Sequence, residues 1–117
     1  MKVFVSGATG FIGIQLVKRL ISEGITVHAL YRSESKAELI RHARVKLFRG
    51  DILDEASLLK AMEGCKEAYH TAAFAGVWAK DPSLVVRLNV DGAMNVIESA
   101  GKQGIRRVVV RCTMGLD

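Results

Sequence analysis

Three glycines at a spacing of three, Gly7, Gly10 and Gly13, stand between an apolar run and an amphipathic one. Val3, Phe4 and Val5 read as a short buried strand. Phe11, Ile12, Ile14, Leu16, Val17, Leu20 and Ile21 fall into a helical period. A strand, a glycine turn and a helix together aim helix N-terminal N–H groups at a phosphate. Gly7 lets the chain turn where a Cβ would clash. Gly10 lets a diphosphate approach the backbone, and Gly13 lets the helix pack close to the sheet. Thr9, Phe11 and Ile12, in the same stretch, are candidate cofactor-binding residues with the glycines. The spacing is G-x-x-G-x-x-G rather than the usual dinucleotide pattern G-x-G-x-x-G. The plain alternative is an ordinary tight turn, and the flanking strand and helix favour the phosphate.

Arg32 lies nineteen positions after Gly13, at the end of the next strand-like run. An NAD site carries a carboxylate near this distance, which accepts from the ribose 2′-hydroxyl. A guanidinium cannot accept a hydrogen bond, but it pairs well with a phosphate. Arg32 therefore points to NADP, and Ser33 and Lys36 could add donors. Against this, Arg32 could be an exposed basic residue beside Glu34, and Glu34 keeps NAD open. Asp51 and Ile52 end the third strand. A carboxylate beside an aliphatic side chain suits an adenine. Asp51 could equally cap the following helix.

Other reactive side chains are less suggestive. His70 falls within a strand, where an interior histidine is the expected role rather than a base. Asn89 lies in a helix among apolar neighbours and must find a partner, which makes it structural on this reading. Cys65 and Cys112 are in no CxxC and no metal-ligand spacing, so buried reduced thiols are expected. Thr113 places a hydroxyl at the end of the fifth strand, on the side where a nicotinamide's substrate would lie.

The elements that must hold these residues alternate. After the first helix, Ser22 to Gly24 is a stop. Ile25 to Tyr31 is a strand, followed by a polar turn over Arg32 to Ser35 and a short helix from Lys36 to Arg41. Val45 to Phe48 is the third strand. A helix over Glu55 to Met62 follows, with Asp54 as its N-cap. Glu67 to His70 passes into Thr71, Ala72 and Ala73, whose small side chains would let a cofactor lie against the backbone. Phe74 to Lys80 is an apolar loop, in which Trp78 and Phe74 are expected to pack. Pro82 opens the longest helix, with Leu84, Val85, Leu88, Met94, Val96, Ile97 and Ala100 as a buried stripe; Gly101 and Gly104 close it. Ile105 to Val110 is a fifth strand. The alternation predicts an α/β Rossmann-like doubly wound parallel sheet of about five strands, in order 3-2-1-4-5. The ligand crevice should open where strands one and four diverge.

Length and composition agree. The 117 residues suit one domain, residues 1–117, and half are hydrophobic, so a real core is expected. The net charge of +5 is scattered and carries no interleaved aromatics, which argues against nucleic acid. No apolar run is long enough for a membrane span, and no signal-peptide pattern opens the chain, so the expected compartment is the cytoplasm.

Taken together, Ser6 to Gly13 (SGATGFIG), Gly50-Asp51-Ile52, His70 to Ala73 (HTAA), Asn89 and Arg107 to Val110 (RVVV) resemble the extended short-chain dehydrogenase/reductase family. The branch they resemble holds the NAD(P)-dependent epimerase/dehydratase and dihydroflavonol-reductase-like proteins. The resemblance covers essentially the whole chain. It implies an oxidoreductase or epimerase of small molecules that binds NADP, with NAD possible. Gly7, Gly10 and Gly13 would meet the diphosphate, Arg32 the 2′-phosphate, Asp51 and Ile52 the adenine, and Ala72 and Ala73 the ribose side. Asn89 falls at the family's helix asparagine. Thr113 falls where the family has its catalytic serine or threonine.

The chain departs from the family in one decisive respect. Catalysis there needs a Tyr-x-x-x-Lys pair on the helix after strand five. Only Tyr31 and Tyr69 are present, and Ser35 and Ala73 stand four residues on. Arg111 and Cys112 also replace small hydroxyl residues. The sequence is therefore expected to be an N-terminal part that binds cofactor without turnover, or else a non-catalytic nucleotide-sensing module. A fifth strand left as an edge would invite self-association, which light scattering would detect.

Overall fold

A computed structural model describes residues 1–71 and 82–111 of the chain, with the backbone alone at Pro82 and Leu84. Five parallel strands form one sheet in the order β3-β2-β1-β4-β5. They are β1 (Lys2–Ser6), β2 (Thr26–Tyr31), β3 (Val45–Arg49), β4 (Glu67–His70) and β5 (Arg107–Val110). Helices α1 (Phe11–Ser22), α2 (Glu34–Ala37), α3 (Glu55–Met62) and α4 (Pro82–Lys102) connect them, and a 3₁₀ turn over Glu38–Ile40 extends α2. The architecture is the Rossmann-like sheet expected from the alternation.

The period of two along β1 explains the layering. Val3 and Val5 face one core with Val17 and Leu20 of α1 and Val27 and Ala29 of β2. Phe4 faces the other, with Leu58 and Met62 of α3 and Val96 and Ala100 of α4. All of β1 from Val3 to Ser6 is buried, as a central strand covered on both faces must be. Each such aliphatic or aromatic side chain contributes about 1.5–3 kcal/mol by leaving water. Both cores meet at β1, so the turn leaving β1 starts from the best-anchored strand of the sheet.

Several boundaries differ from expectation. The second helix begins at Glu34 rather than Lys36, because Ser33 takes an extended conformation and its carbonyl accepts from Lys36 and Ala37. Gly101 lies inside α4, and Gly104, at φ +72°, turns the chain out. Asp54 does cap α3: its carboxylate accepts from the Ala56 N–H at 3.1 Å. Phe11 is 83% exposed, so it does not join the buried stripe of α1. Met94 and Ile97 are exposed as well, which narrows the buried face of α4 to its Val96 and Ala100 side. β5 is mostly exposed and, among the described residues, pairs only with β4. Arg111, odd for a buried strand end, is itself exposed just past β5.

Candidate functional site

The site begins with the turn after β1. Gly7 has φ +69°, a left-handed conformation that favours glycine. Its carbonyl accepts from the Gly10 N–H at 3.0 Å, closing a tight turn onto α1. A Cβ on Gly13 would stand 1.8 Å from the Gly7 oxygen, and one on Gly10 would stand 3.3 Å from it. Gly13 is thus required by the close approach of α1 to the turn. Gly10 is the N-cap, offers no side-chain cap, and the first turn holds no acidic residue. Helix geometry leaves the first N–H groups of α1 without intrahelical acceptors. Their partial positive charge faces a position that suits an anion.

A cleft of about 330 Å³ opens beside this turn, within the range of small-ligand sites. Gly7, Thr9 and Gly10 line one end, Leu30, Tyr31, Arg32, Ser33 and Lys36 another, and Gly50, Asp51, Ile52 and Thr71 the rest. These residues come from the ends of β1, β2, β3 and β4, the carboxyl edge of the sheet where doubly wound folds place ligands. The sequence-predicted Gly7, Thr9, Gly10, Arg32, Asp51 and Ile52 are therefore brought together. Phe11, Ile12 and Gly13 follow in α1 without lining the cleft, and Asn89 sits half-buried on α4, also outside the lining. Ala72, Ala73, Phe74, Trp78, Cys112 and Thr113 lie outside the described residues.

Arg32 and Asp51 face each other across the cleft mouth, with Nη1 3.6 Å from Oδ2. Arg32 is therefore not the partner of Glu34. Glu34 accepts from the Tyr31 hydroxyl at 2.9 Å and lies 3.8 Å from Arg49. Its carboxylate, the feature that kept NAD open, is engaged by Tyr31 and Arg49. Asp51 does not cap α3. Its other oxygen accepts from the Leu53 N–H at 2.9 Å, which shapes the 51–54 turn. Gly50 packs against Ser57, whose side chain a Cβ there would meet at 2.5 Å. The Ser57 hydroxyl lies at 3.0 Å from the Asp51 carbonyl, fixing where the Asp51 carboxylate starts.

Sequence reasoning missed three supports. Gly92 of α4 leaves room for Ile52, because a Cβ there would stand 2.5 Å from Ile52 Cδ1. Asn95 donates to the Ile52 carbonyl at 3.0 Å. Thr71 donates to the Ser6 carbonyl at 2.8 Å. Only the recurrence of small or amide residues on one face of the long helix could have hinted at the first two.

Below the turn, the Ser6 hydroxyl and His70 Nδ1 share a 2.6 Å hydrogen bond, and both residues are buried. His70 is an interior histidine, as expected. Burial holds its pKa below the ordinary 6.5. His28 is also lowered, by burial first and then by Lys2 and Lys46, against the raising effect of its bond to the Ala61 carbonyl. Cys65 is buried and its thiol is pushed up to about 11 by desolvation, so it is inert at neutral pH. Among the described residues no His, Cys, Asp and Glu cluster could hold a metal. No helix there is long and apolar enough to cross a membrane.

The two histidines give a pH prediction. Their folded pKa lies below 6.5, so on acidification the unfolded chain takes up protons first. The stability from keeping them neutral is present above about pH 6.5 and is lost as pH falls towards their folded values. Most carboxylates titrate lower, near pH 4. Thermal unfolding should therefore shift downwards between about pH 7 and pH 5. His70→Gln should flatten that slope; a variant as steep as the parent would contradict the assignment.

A parallel sheet in the order β3-β2-β1-β4-β5, with a glycine turn over its carboxyl edge, defines a Rossmann-like α/β domain. Comparison with known proteins narrows this. A model of the NAD dependent epimerase/dehydratase family matches residues 3–114. The chain belongs to that family. It is similar to dihydroflavonol 4-reductase of Solanum lycopersicum, 32% identical over 97% of this chain and 32% of the relative. It is also similar to cinnamoyl-CoA reductase 1 of Oryza sativa subsp. japonica, 40% identical over 97% of this chain and 34% of the relative. Among solved structures, a Thermus thermophilus UDP-glucose 4-epimerase in complex with NAD superposes with a TM-score of 0.75 at 27% identity, covering 92% of this chain and 36% of that one. The chain spans about a third of the length of the curated relatives it matches.

Proposed function

We propose that residues 1–117 are the NADP-binding domain of a reductase or epimerase and bind the cofactor without turning over substrate. One juxtaposition carries this reading: the uncapped start of α1 and the Arg32, Ser33 and Lys36 group line the same cleft. The first suits a diphosphate and the second a 2′-phosphate. Asp51 would accept from the adenine amine, with Ile52 against the ring. Ala72 and Ala73 are assigned to the ribose side, Asn89 to the cofactor-supporting helix and Thr113 to the substrate's carbonyl or hydroxyl. Gly7 and Gly10 line the cleft without side chains, which supports close approach of a dinucleotide to the backbone. When bound, its nicotinamide supplies or accepts hydride.

The lack of turnover rests on chemistry. Hydride transfer to a carbonyl needs a proton donor of suitable pKa at the reacting oxygen. Neither tyrosine of these 117 residues has a lysine four positions on. Tyr31 bonds Glu34, which raises its pKa and disfavours the phenolate. Tyr69 is also raised, by burial first. Titrating NADPH into the chain should change its nicotinamide fluorescence and raise the melting temperature, with no cofactor oxidation when aromatic or sugar-nucleotide carbonyl compounds are added. No response at millimolar cofactor would sink the binding reading, and steady oxidation would sink the inactive one.

A further inference from the structure

We infer that Thr71 is a positioning residue that sets the phosphate turn from the neighbouring strand, an inference that rests on the cofactor reading above. Thr71 follows β4 directly, half-buried, and lines the cleft. Its N–H donates to the Ser6 carbonyl at 3.2 Å, continuing the β4–β1 ladder by one residue. Its hydroxyl lies 2.8 Å from the Ser6 carbonyl oxygen and 3.2 Å from that of Gly7. A hydroxyl has one proton, so the two carbonyls share it, with the shorter bond to Ser6. These are the two carbonyls on either side of the Gly7 N–H, where the chain leaves β1 and turns.

The Gly7 peptide cannot settle elsewhere without consequence. Its oxygen already accepts from the Gly10 N–H and lies against Gly13. A shift of this carbonyl therefore moves the N-cap of α1 and the direction of its first N–H groups. Beyond the Gly10 bond the turn holds this carbonyl with backbone alone, because Gly7 and Gly10 have no side chains. The side chain of Thr71 opposes such a shift, from a position 64 residues away in sequence. Thr71 thus fixes where the diphosphate end of the cleft lies, while Arg32, at the other end, follows β2.

That division is the test. NADPH spans both ends, whereas adenosine 2′-monophosphate has the 2′-phosphate but no diphosphate. In NMR titrations of the 117-residue chain, Thr71→Val should weaken NADPH about five- to tenfold, the usual size for one lost hydrogen bond. It should leave adenosine 2′-monophosphate within about twofold, the scatter expected of a distant site. Thr71→Ser, which keeps the hydroxyl, should restore NADPH. Equal loss for both ligands, no loss for either, or no restoration by serine would overturn the positioning role. If Thr71→Val does not fold, Thr71→Ala takes its place, and failure of both to fold would make Thr71 a general support of the fold and overturn the inference. A parent chain that binds neither ligand would instead remove the cofactor reading itself.

Discussion

Gly13→Ala is expected to weaken NADPH binding at least about thirtyfold and to lower unfolding stability by about 1–3 kcal/mol, the range for overpacking a well-packed site. In an ordinary helix the same change gains about 1 kcal/mol of helix propensity. Here the added methyl would stand 1.8 Å from the Gly7 oxygen, 2.7 Å from its carbonyl carbon and 2.8 Å from Ala8 Cα. All three are backbone atoms, so no side-chain rotation can relieve the contact. Either α1 moves off the sheet, which opens the core around Val17 and Leu20, or the Gly7 turn deforms. Both moves take the first N–H groups of α1 away from the diphosphate. Gly101→Ala is the matched control, because it is also helical and a Cβ there meets nothing within 4 Å. It should keep full binding and be neutral or slightly stabilising. Urea unfolding and NADPH titration of the two variants check the contrast; a Gly13→Ala chain that binds like the parent would contradict the account of the turn.

Arg32→Ala is expected to weaken NADPH about 10- to 100-fold, the size of a lost hydrogen bond to a charged group, and to leave NADH within about twofold. The reason lies in what Arg32 does without ligand. Its pairing with Asp51 is 3.6 Å long between side chains 66% and 38% exposed. Such a pair contributes at most about 1 kcal/mol. A 2′-phosphate carries more charge than one carboxylate and offers several acceptors to the guanidinium. It should displace Asp51 readily. The freed Asp51 carboxylate then lies beside the adenine position, so the resting ion pair holds both groups close to where the ligand would use them. Because the pair is exposed, the NADPH preference should shrink as salt rises. Isothermal titration with both cofactors at two salt concentrations reads all of this. Equal loss of NADPH and NADH would remove the 2′-phosphate role from Arg32.

Much of the fold was legible because it depends on short-range pattern. The apolar run at Val3 to Val5, the strand at Glu67 to His70, the cap at Asp54 and the helix over Glu55 to Met62 each follow from residues within a few positions. The glycine turn was legible for the same reason. What the sequence hid was contact between distant residues. Phe11 looked like a core residue by period, yet its place on α1 faces solvent. Arg32 stood beside Glu34 in sequence, but the strand end directs it to Asp51 while Arg49 takes Glu34. Thr71 on Ser6 and Gly7, and Gly92 and Asn95 on Ile52, join residues 40 or more positions apart. No local pattern encodes such pairs. The candidate site is therefore readable as a set of strand ends, and its supports only in three dimensions.

The central claim is that the cleft between the Gly7 turn and Arg32 holds the dinucleotide. Backbone amide shifts of the isotopically labelled chain, followed during NADPH titration, test it most directly. The largest changes should fall on Gly7, Thr9, Gly10, Phe11 and Ile12, on Arg32 and Ser33, on Asp51 and Ile52, and on Thr71. The Ile97 and Val109 amides, on the exposed faces of α4 and β5, should hardly move. Changes confined to other surfaces, or none at millimolar NADPH, would contradict the account.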